Sequence, residues 1–118
     1  MNNDFRKTPP SPLEPISFEI PKPFQTTLDN GLRLVIFEHE RLPLVSYRLV
    51  FQSGDAIDPA GLTGLTSAVT SLLTEGTAEY TSLQLAEKTE RLGASISASS
   101  TDDFTIVAAS SLSLYSSD

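Results

Sequence analysis

The sequence predicts an α+β fold, an antiparallel β-sheet with helices packed on one face. Three observations support this prediction. An asparagine-glycine turn interrupts a strand pattern, two helix patterns follow each other directly, and two more strand patterns end the chain. The predicted order is β-β-β-α-α-β-β, in which the helices come as a pair instead of alternating with strands. That order is typical of antiparallel sheets with the helices segregated to one side.

Residues 1–23 are predicted to be a proline-rich extended arm, and residues 24–118 a folded domain. The arm holds six of the eight prolines, and proline lacks the N–H donor that a sheet interior needs. Ile16, Phe18 and Ile20 recur within it at the period of a strand. Two interpretations stay open: a flexible tail, or an arm that packs along the domain through these three side chains.

Three strands are predicted before residue 53. The first two form a hairpin that turns at Asp29-Asn30-Gly31, because asparagine and glycine tolerate the positive φ of tight turns. The third lies in Leu44–Gln52, where Val45, Tyr47, Leu49 and Phe51 alternate with the side chains of the other face.

The first helix is predicted within Gly61–Thr77, with Asp58 before a proline as its start signal. Its apolar residues recur at helical spacing and are expected to pack against the sheet: Leu62, Leu65, Val69, Leu72 and Leu73. Ser67, Thr70 and Ser71 fall at i, i+3 and i+4, which puts these three alcohols together on the opposite face.

A second helix and two strands complete the chain. Thr81 with Gln84 three residues later forms a capping-box pattern, and Gly93 can close the helix in the left-handed conformation. The last two strands are predicted in Ala94–Ser100 and Phe104–Leu112, joined across two aspartates.

Composition excludes several classes of function. Eight basic against fifteen acidic residues give a net charge of −7, which argues against nucleic acid or an anionic membrane surface as a partner. There is no cysteine to bind metal or act as a nucleophile. No apolar run approaches the roughly 20 residues of a membrane span, and no signal peptide is seen. We therefore expect a cytoplasmic protein if Met1 is the native start.

The inventory of reactive side chains is equally restrictive. His39 is the one histidine, so this chain alone cannot build a two-histidine metal site, and its charged turn favours a solvated role. Alcohols stay protonated and neutral at pH 7, so Ser67, Thr70 and Ser71 cannot hold zinc as imidazole and carboxylate do. No base lies near enough in sequence to activate a serine as a nucleophile.

From residue 24 onward the chain resembles the amino-terminal half of a domain of the pitrilysin/insulinase family of zinc peptidases. The resemblance rests on the order and spacing of five features: the asparagine-glycine hairpin, RLPLVSYRLVF, a loop ending in AGLTGL, the pair Gly76-Thr77, and a leucine-glycine step into a strand. It implies that residues 24–118 are part of a longer, truncated domain. Active members carry H-x-x-E-H on the first helix, which binds zinc and activates water.

Counting from Gly64 and back from Gly76 places those three positions on Ser67, Thr70 and Ser71, so all three are replaced. The resemblance therefore implies no catalytic residue, no metal ligand and no cofactor in this chain, with zinc expected only in an active partner. It implies a non-catalytic subunit that pairs with an active zinc-peptidase homologue as a heterodimer and helps to bind and enclose peptide. The alternative is a structural scaffold or binding protein of the same fold without a peptidase role.

In active relatives the strand after the second helix takes extended substrate as an added strand. By that resemblance the peptide-binding residues here are Ala94, Ser95, Ile96, Ser97, Ala98 and Ser99. Since edge addition uses backbone groups, it does not need the lost zinc ligands. Proline in place of Ser97 is predicted to remove a donor from this edge and to weaken peptide binding while leaving the fold intact.

Overall fold

The computed structural model describes residue 13 and residues 15–39 and 41–117. The chain divides into two compact units after His39, and each unit is described by itself. The first twelve residues of the predicted arm lie outside the described residues. Residues 15–23 form neither helix nor strand, and Ile16, Phe18 and Ile20 are largely exposed.

The first unit contains the predicted hairpin. Strand β1 (Phe24–Thr27) pairs antiparallel with β2 (Arg33–Ile36). At the turn Gly31 has a φ of 84°, and the Asn30 side chain accepts a hydrogen bond from the Leu32 N–H at 3.0 Å. The asparagine and the glycine therefore have the separate roles that a tight turn requires.

The second unit is built on a three-stranded antiparallel sheet. Its strands are β3 (Leu44–Phe51), β4 (Ser95–Ser100) and β5 (Thr105–Leu112), in the order β3-β5-β4. β4 and β5 are joined by a tight turn in which the Thr101 N–H donates to the Phe104 carbonyl at 2.8 Å. The predicted strands are all present, distributed over two sheets.

Two helices lie between β3 and β4, so the α+β prediction and its element order are confirmed. They are α1 (Leu65–Leu72) and α2 (Ser82–Arg91). The capping box predicted for α2 is present in both directions, and Gly93 ends that helix with a φ of 59°. Two short 3₁₀ turns, Asp55–Ile57 and Ser113–Tyr115, complete the unit.

Helix α1 starts later than the proline signal suggested. It begins at Leu65, after Gly64 with a φ of 88°. Asp58 acts on the helix from a distance, because its carboxylate accepts hydrogen bonds from the N–H groups of Gly64 and Thr66 at 2.7 and 3.1 Å. Those N–H groups have no partner within the helix, so a remote aspartate replaces a local N-cap residue.

The face that α1 turns toward the sheet differs from the prediction. Thr70 is only 4% exposed, whereas Val69 and Leu72 of the apolar stripe are 51% and 65% exposed. α1 packs on β4, where the facing residues are small, and the hydroxyls of Ser67 and Ser100 lie 3.0 Å apart. Of the three alcohols, Thr70 alone packs inward, while Ser67 and Ser71 stay exposed. Among the described residues no apolar side chain is fully buried.

Gly54 controls how closely the loop after β3 approaches the β4–β5 turn. A Cβ at this position would lie 2.3 Å from the Thr101 carbonyl oxygen and 2.4 Å from that of Asp102. Its absence lets the N–H groups of Asp55 and Ala56 donate to the same two carbonyls, each at 3.0 Å. This backbone contact holds the 3₁₀ turn that carries Asp55.

We predict that Gly54→Ala separates the loop from the turn, because the carbonyl oxygens must move away from the added methyl. The free energy of unfolding should fall by about 1–3 kcal/mol, and the amides of Asp55 and Ala56 should exchange faster with solvent. Gly61→Ala is the control, since its added Cβ meets nothing within 4 Å although its φ is 86°. The control should cost about 1 kcal/mol without changing exchange at Asp55 and Ala56. Equal protection of those amides in both variants would contradict the prediction.

Candidate functional site

A cluster of polar side chains joins three elements around Ser67, one of the three alcohols that the sequence singled out on α1. The Ser67 hydroxyl of α1 donates to Asp55 Oδ2 at 2.7 Å. Because a serine has one O–H, the 3.0 Å contact between Ser67 and Ser100 of β4 is then a bond that Ser100 donates. Both hydroxyl protons are therefore directed along one chain toward the Asp55 carboxylate.

Asp55 is the residue of this site that sequence reasoning missed. It lies 12 positions before Ser67, in a loop, and no local pattern links the two. Its second oxygen, Oδ1, is buried and has no hydrogen-bond partner among the described residues. One signal was present in the sequence: a glycine before an aspartate at the end of a strand marks a backbone that can approach another element closely.

The other two alcohols on α1, Thr70 and Ser71, make no hydrogen bond to Asp55. Thr70 is buried against the sheet, and the Ser71 hydroxyl donates to the Ala68 carbonyl of its own helix at 2.8 Å. In the described part of the chain no group of three or more histidine, cysteine, aspartate or glutamate residues could hold a metal ion. The site consists of one carboxylate and neutral alcohols, whereas zinc sites are built from imidazole, thiolate and carboxylate ligands.

Serine catalysis at this site is also disfavoured by its chemistry. Ser67 has a hydrogen-bonded carboxylate, so a proton acceptor does lie near it, contrary to the expectation from sequence distance. A carboxylate is a much weaker base than the imidazole or amine that activates serine nucleophiles, and no second group orients it here. His39 is exposed, as expected for a loop histidine.

β4 lies at the edge of its sheet, and its free backbone groups can be assigned. In an antiparallel ladder, residues alternate between those that bond to the partner strand and those that point away from it. The bond from Thr101 to Phe104 belongs to the β4–β5 register, so residues 95, 97 and 99 bond to β5. The Ser113 N–H donates to the Pro43 carbonyl, so the odd-numbered residues of β5 bond to β3 and its even-numbered residues are left to bond to β4. The two assignments agree.

The free edge of β4 therefore consists of the backbone groups of Ile96, Ala98 and Ser100. Six residues were predicted to bind peptide. Among them, Ser95, Ser97 and Ser99 direct their backbone N–H and C=O groups toward β5. The Ala94 N–H donates to the Thr89 carbonyl at 2.9 Å. The Ser100 side chain contacts α1, so Ile96 and Ala98, which share its parity, lie on the helix face as well.

An open cavity of about 590 Å³ lies on that helix face, between α2 and the sheet. Leu85 and Leu92 line it from α2, and Tyr47, Ile96 and Ala109 line it from the three strands. It is mainly apolar and starts beside the first free residue of the β4 edge.

A match to a known family model identifies the family of this chain. Residues 34–116 match the model of Insulinase (Peptidase family M16), which is more than half of the chain. The chain belongs to the insulinase family of peptidases. Within that family, Ser67, Thr70 and Ser71 stand where the resemblance places the H-x-x-E-H residues.

Two solved structures are similar to this insulinase-family chain. One is a peptidase M16 inactive domain from Pseudomonas fluorescens, with a TM-score of 0.73 and 25% identity over 77% of this chain and 22% of that one. The other is a protease from Helicobacter pylori, with a TM-score of 0.66 and 20% identity over 80% and 23%. The chain thus spans about a fifth of the length of these proteins.

Two negative findings complete the description of this chain. Among curated protein sequences no significant match is found. No helix in the described residues is long and apolar enough to cross a membrane.

The Asp58 carboxylate holds α1, and with it Ser67, in place. The Thr66 hydroxyl, which donates to it at 2.6 Å, is the main cause that lowers the pKa of Asp58 below its ordinary value, and nearby backbone N–H groups add to this against a smaller effect of burial. Because the pKa of Asp58 is lower in the folded chain than in the unfolded chain, its ionised carboxylate stabilises the fold at pH values above the unfolded-state pKa. That contribution is lost as the pH falls through the folded-state pKa.

We predict that Asp58→Asn lowers the melting temperature most at neutral pH, where the native carboxylate is ionised. The difference from the wild type should shrink on acidification as the pH falls through the folded-state pKa of Asp58, and it should vanish once the carboxyl is protonated in both states. Thermal unfolding between about pH 2 and 7 measures it. Asp103→Asn, at an exposed turn, makes the same charge change and should show no such convergence; a constant difference for Asp58→Asn would refute the carboxylate's role.

Proposed function

We propose that this insulinase-family chain is a non-catalytic subunit that binds extended peptide by strand addition to β4. The observation on which the proposal depends is the free edge formed by Ile96, Ala98 and Ser100 beside the degenerate face of α1. In the same proposal an active homologue supplies the zinc and the catalytic groups, and the two chains enclose the peptide between them.

The chemistry of the β4 edge supports strand addition. Natural proteins protect sheet edges with lysine, proline, bulges or inward-pointing charges. The strand Ser95–Ser100 has no charged residue and no proline, and apart from Ile96 it consists of one alanine and four serines. Small side chains allow another backbone to approach, and outward N–H and C=O groups give it hydrogen bonds that do not depend on sequence.

The replacement of the motif supports the non-catalytic part of the proposal. Ser67 and Ser71 offer neutral hydroxyls where two imidazoles would hold zinc, and Thr70 offers no carboxylate to activate water. The similar structure from Pseudomonas fluorescens is itself described as an inactive domain.

Exposed apolar surface supports the pairing with a second chain. Val69 and Leu72 of α1, together with Tyr47 and Phe51 of β3, are each about half or more exposed. Surfaces of this kind are typical of protein interfaces, and in a chain that spans about a fifth of the length of the two similar structures they are available to the rest of the same protein as well as to a second chain. Co-expression with a homologue that keeps H-x-x-E-H, followed by sedimentation, tests the pairing; a scaffold without a peptidase role would bind no peptide in either state.

We predict that the wild-type chain retains no stoichiometric zinc after dialysis, and that the double variant Ser67→His with Ser71→His does. Two imidazoles at i and i+4 project from the same side of a helix and can chelate one ion. The double variant should bind zinc at least about tenfold more tightly than either single variant, a difference of roughly 1.4 kcal/mol. Isothermal titration measures the affinity.

Ser67→His with Val69→His is the matched control, because residues at i and i+2 of a helix do not share a face. If the control binds zinc as tightly as the i, i+4 pair, the assignment of the lost ligand positions is wrong.

We predict that Ala98→Pro weakens binding of an extended peptide about five- to tenfold, since it removes one outward donor and places a ring at the edge. The fold should remain, because the Ala98 N–H makes no bond to β5. Ser97→Pro, proposed from the sequence, serves as the opposite control: its N–H bonds to β5, so this variant should unfold at a lower temperature. Fluorescence anisotropy with a labelled heptapeptide and circular dichroism measure the two effects.

Equal peptide affinity in the wild type and a folded Ala98→Pro variant would leave only the scaffold role. A loss of stability in Ala98→Pro as large as in Ser97→Pro would show that the alternation along β4 is assigned the wrong way round.

A further inference from the structure

We propose that Asp55, with the hydroxyls of Ser67 and Ser100, is a binding site for a primary ammonium group on the peptide that the β4 edge takes up. The inference rests on the proposed strand addition and adds a substrate class to it: peptides with a lysine, or a free amino terminus, opposite Ser100. The proposed site consists of Asp55, Ser67 and Ser100, and it does not require a bound zinc ion.

The unpaired oxygen of Asp55 is the first reason. Asp55 Oδ1 is buried without a partner among the described residues, and Oδ2 accepts only the neutral Ser67 hydroxyl. An unsatisfied buried acceptor destabilises a protein, and does so more strongly when it is charged. Groups of this kind in folded proteins often mark the place of an ion or a ligand.

The cluster also has the geometry for an ammonium group. The protons of Ser100 and Ser67 point along the chain toward the carboxylate, so the Ser100 oxygen keeps both lone pairs and the Ser67 oxygen keeps one. Together with Asp55 Oδ2 they give three acceptors for the three donors of an ammonium group. Ser67 is exposed, which leaves this side of the cluster accessible. Because a carboxylate shares its charge between two oxygens, a cation at Oδ2 neutralises Oδ1 too.

The same geometry disfavours a guanidinium. Arginine recognises carboxylates best through two parallel hydrogen bonds to both oxygens. Here Oδ1 is buried, so only one oxygen can be reached from the Ser67 side. An ammonium behaves as a compact point charge and needs no second carboxylate oxygen.

Strand addition would bring such a group to the cluster. The Ser100 backbone faces the free edge while its side chain faces α1. A peptide residue directly opposite Ser100 would place its Cβ about 5 Å from that of Ser100, on the same face. From there a lysine side chain spans the remaining distance, and an antiparallel peptide has its amino-terminal end on this side.

Three acetylated and amidated heptapeptides of threonine and valine, with lysine, arginine or norleucine at the central position, test the proposal by anisotropy at low salt. The lysine peptide should bind about three- to tenfold more tightly than the norleucine peptide, arginine should fall between, and added salt should remove the difference. A norleucine peptide with a free amino terminus distinguishes an α-ammonium from a lysine as the source.

Asp55→Asn keeps the shape of the side chain and should abolish the lysine advantage while leaving the norleucine affinity unchanged. Ser67→Ala should reduce the advantage, and Asp103→Asn, a matched loss of charge at an exposed turn, should preserve it. Circular dichroism confirms that each variant is folded.

The outcomes separate this inference from the proposed function. If lysine and norleucine peptides bind equally and Ala98→Pro weakens both, strand addition stands and the ammonium site is wrong. If no heptapeptide binds, N-acetyl-lysine methylamide is the remaining probe, and it should shift the amide signals of Asp55, Ser67 and Ser100 in nuclear magnetic resonance spectra more than N-acetyl-norleucine methylamide does. Equal shifts from both compounds would overturn the site.

Discussion

The close contact between the loop after β3 and the β4–β5 turn is the constraint on which the second unit depends. It exists because Gly54 has no side chain where a Cβ would overlap two carbonyl oxygens. The contact fixes the short turn that presents Asp55, and four residues after Gly54 the chain reaches Asp58, which binds the amino-terminal N–H groups of α1. A backbone approach thus sets the position of a helix, and the helix sets the position of the site.

The features predictable from the sequence are those that depend on neighbouring residues. The Asn30-Gly31 turn and the Thr81-Gln84 capping box are local hydrogen-bond patterns, and both are present. The orientation of α1 was wrong because periodicity separates an apolar from a polar face without saying which one meets the sheet. Here Thr70 is the buried residue of α1 and Ser67 contacts Ser100 at the edge of the packing, whereas Leu72 remains exposed.

The candidate site could be located from the sequence only in part. The counted positions Ser67, Thr70 and Ser71 lie on the helix that packs on β4, so the two sets of residues singled out from the sequence are neighbours in the structure. Asp55 could not be found in this way, because its bond to Ser67 depends on tertiary contact. The outward-facing residues of β4 were also beyond sequence reasoning, since the alternation is set by the turn at Thr101 and Phe104.

The absence of zinc ligands on α1 is compatible with the proposed strand addition, because metal binding and strand addition use different parts of the chain. Metal binding needs side chains of a particular kind on α1, whereas strand addition needs only a β4 backbone whose N–H and C=O groups are free. Replacing imidazole and carboxylate by alcohols removes the first and permits α1 to pack closely on β4, with Ser67 and Ser100 in direct contact. In this arrangement the outward backbone groups of β4 stay free, and the Asp55 carboxylate accepts the Ser67 hydroxyl. Strand addition, as proposed, therefore does not depend on the side chains that metal binding requires.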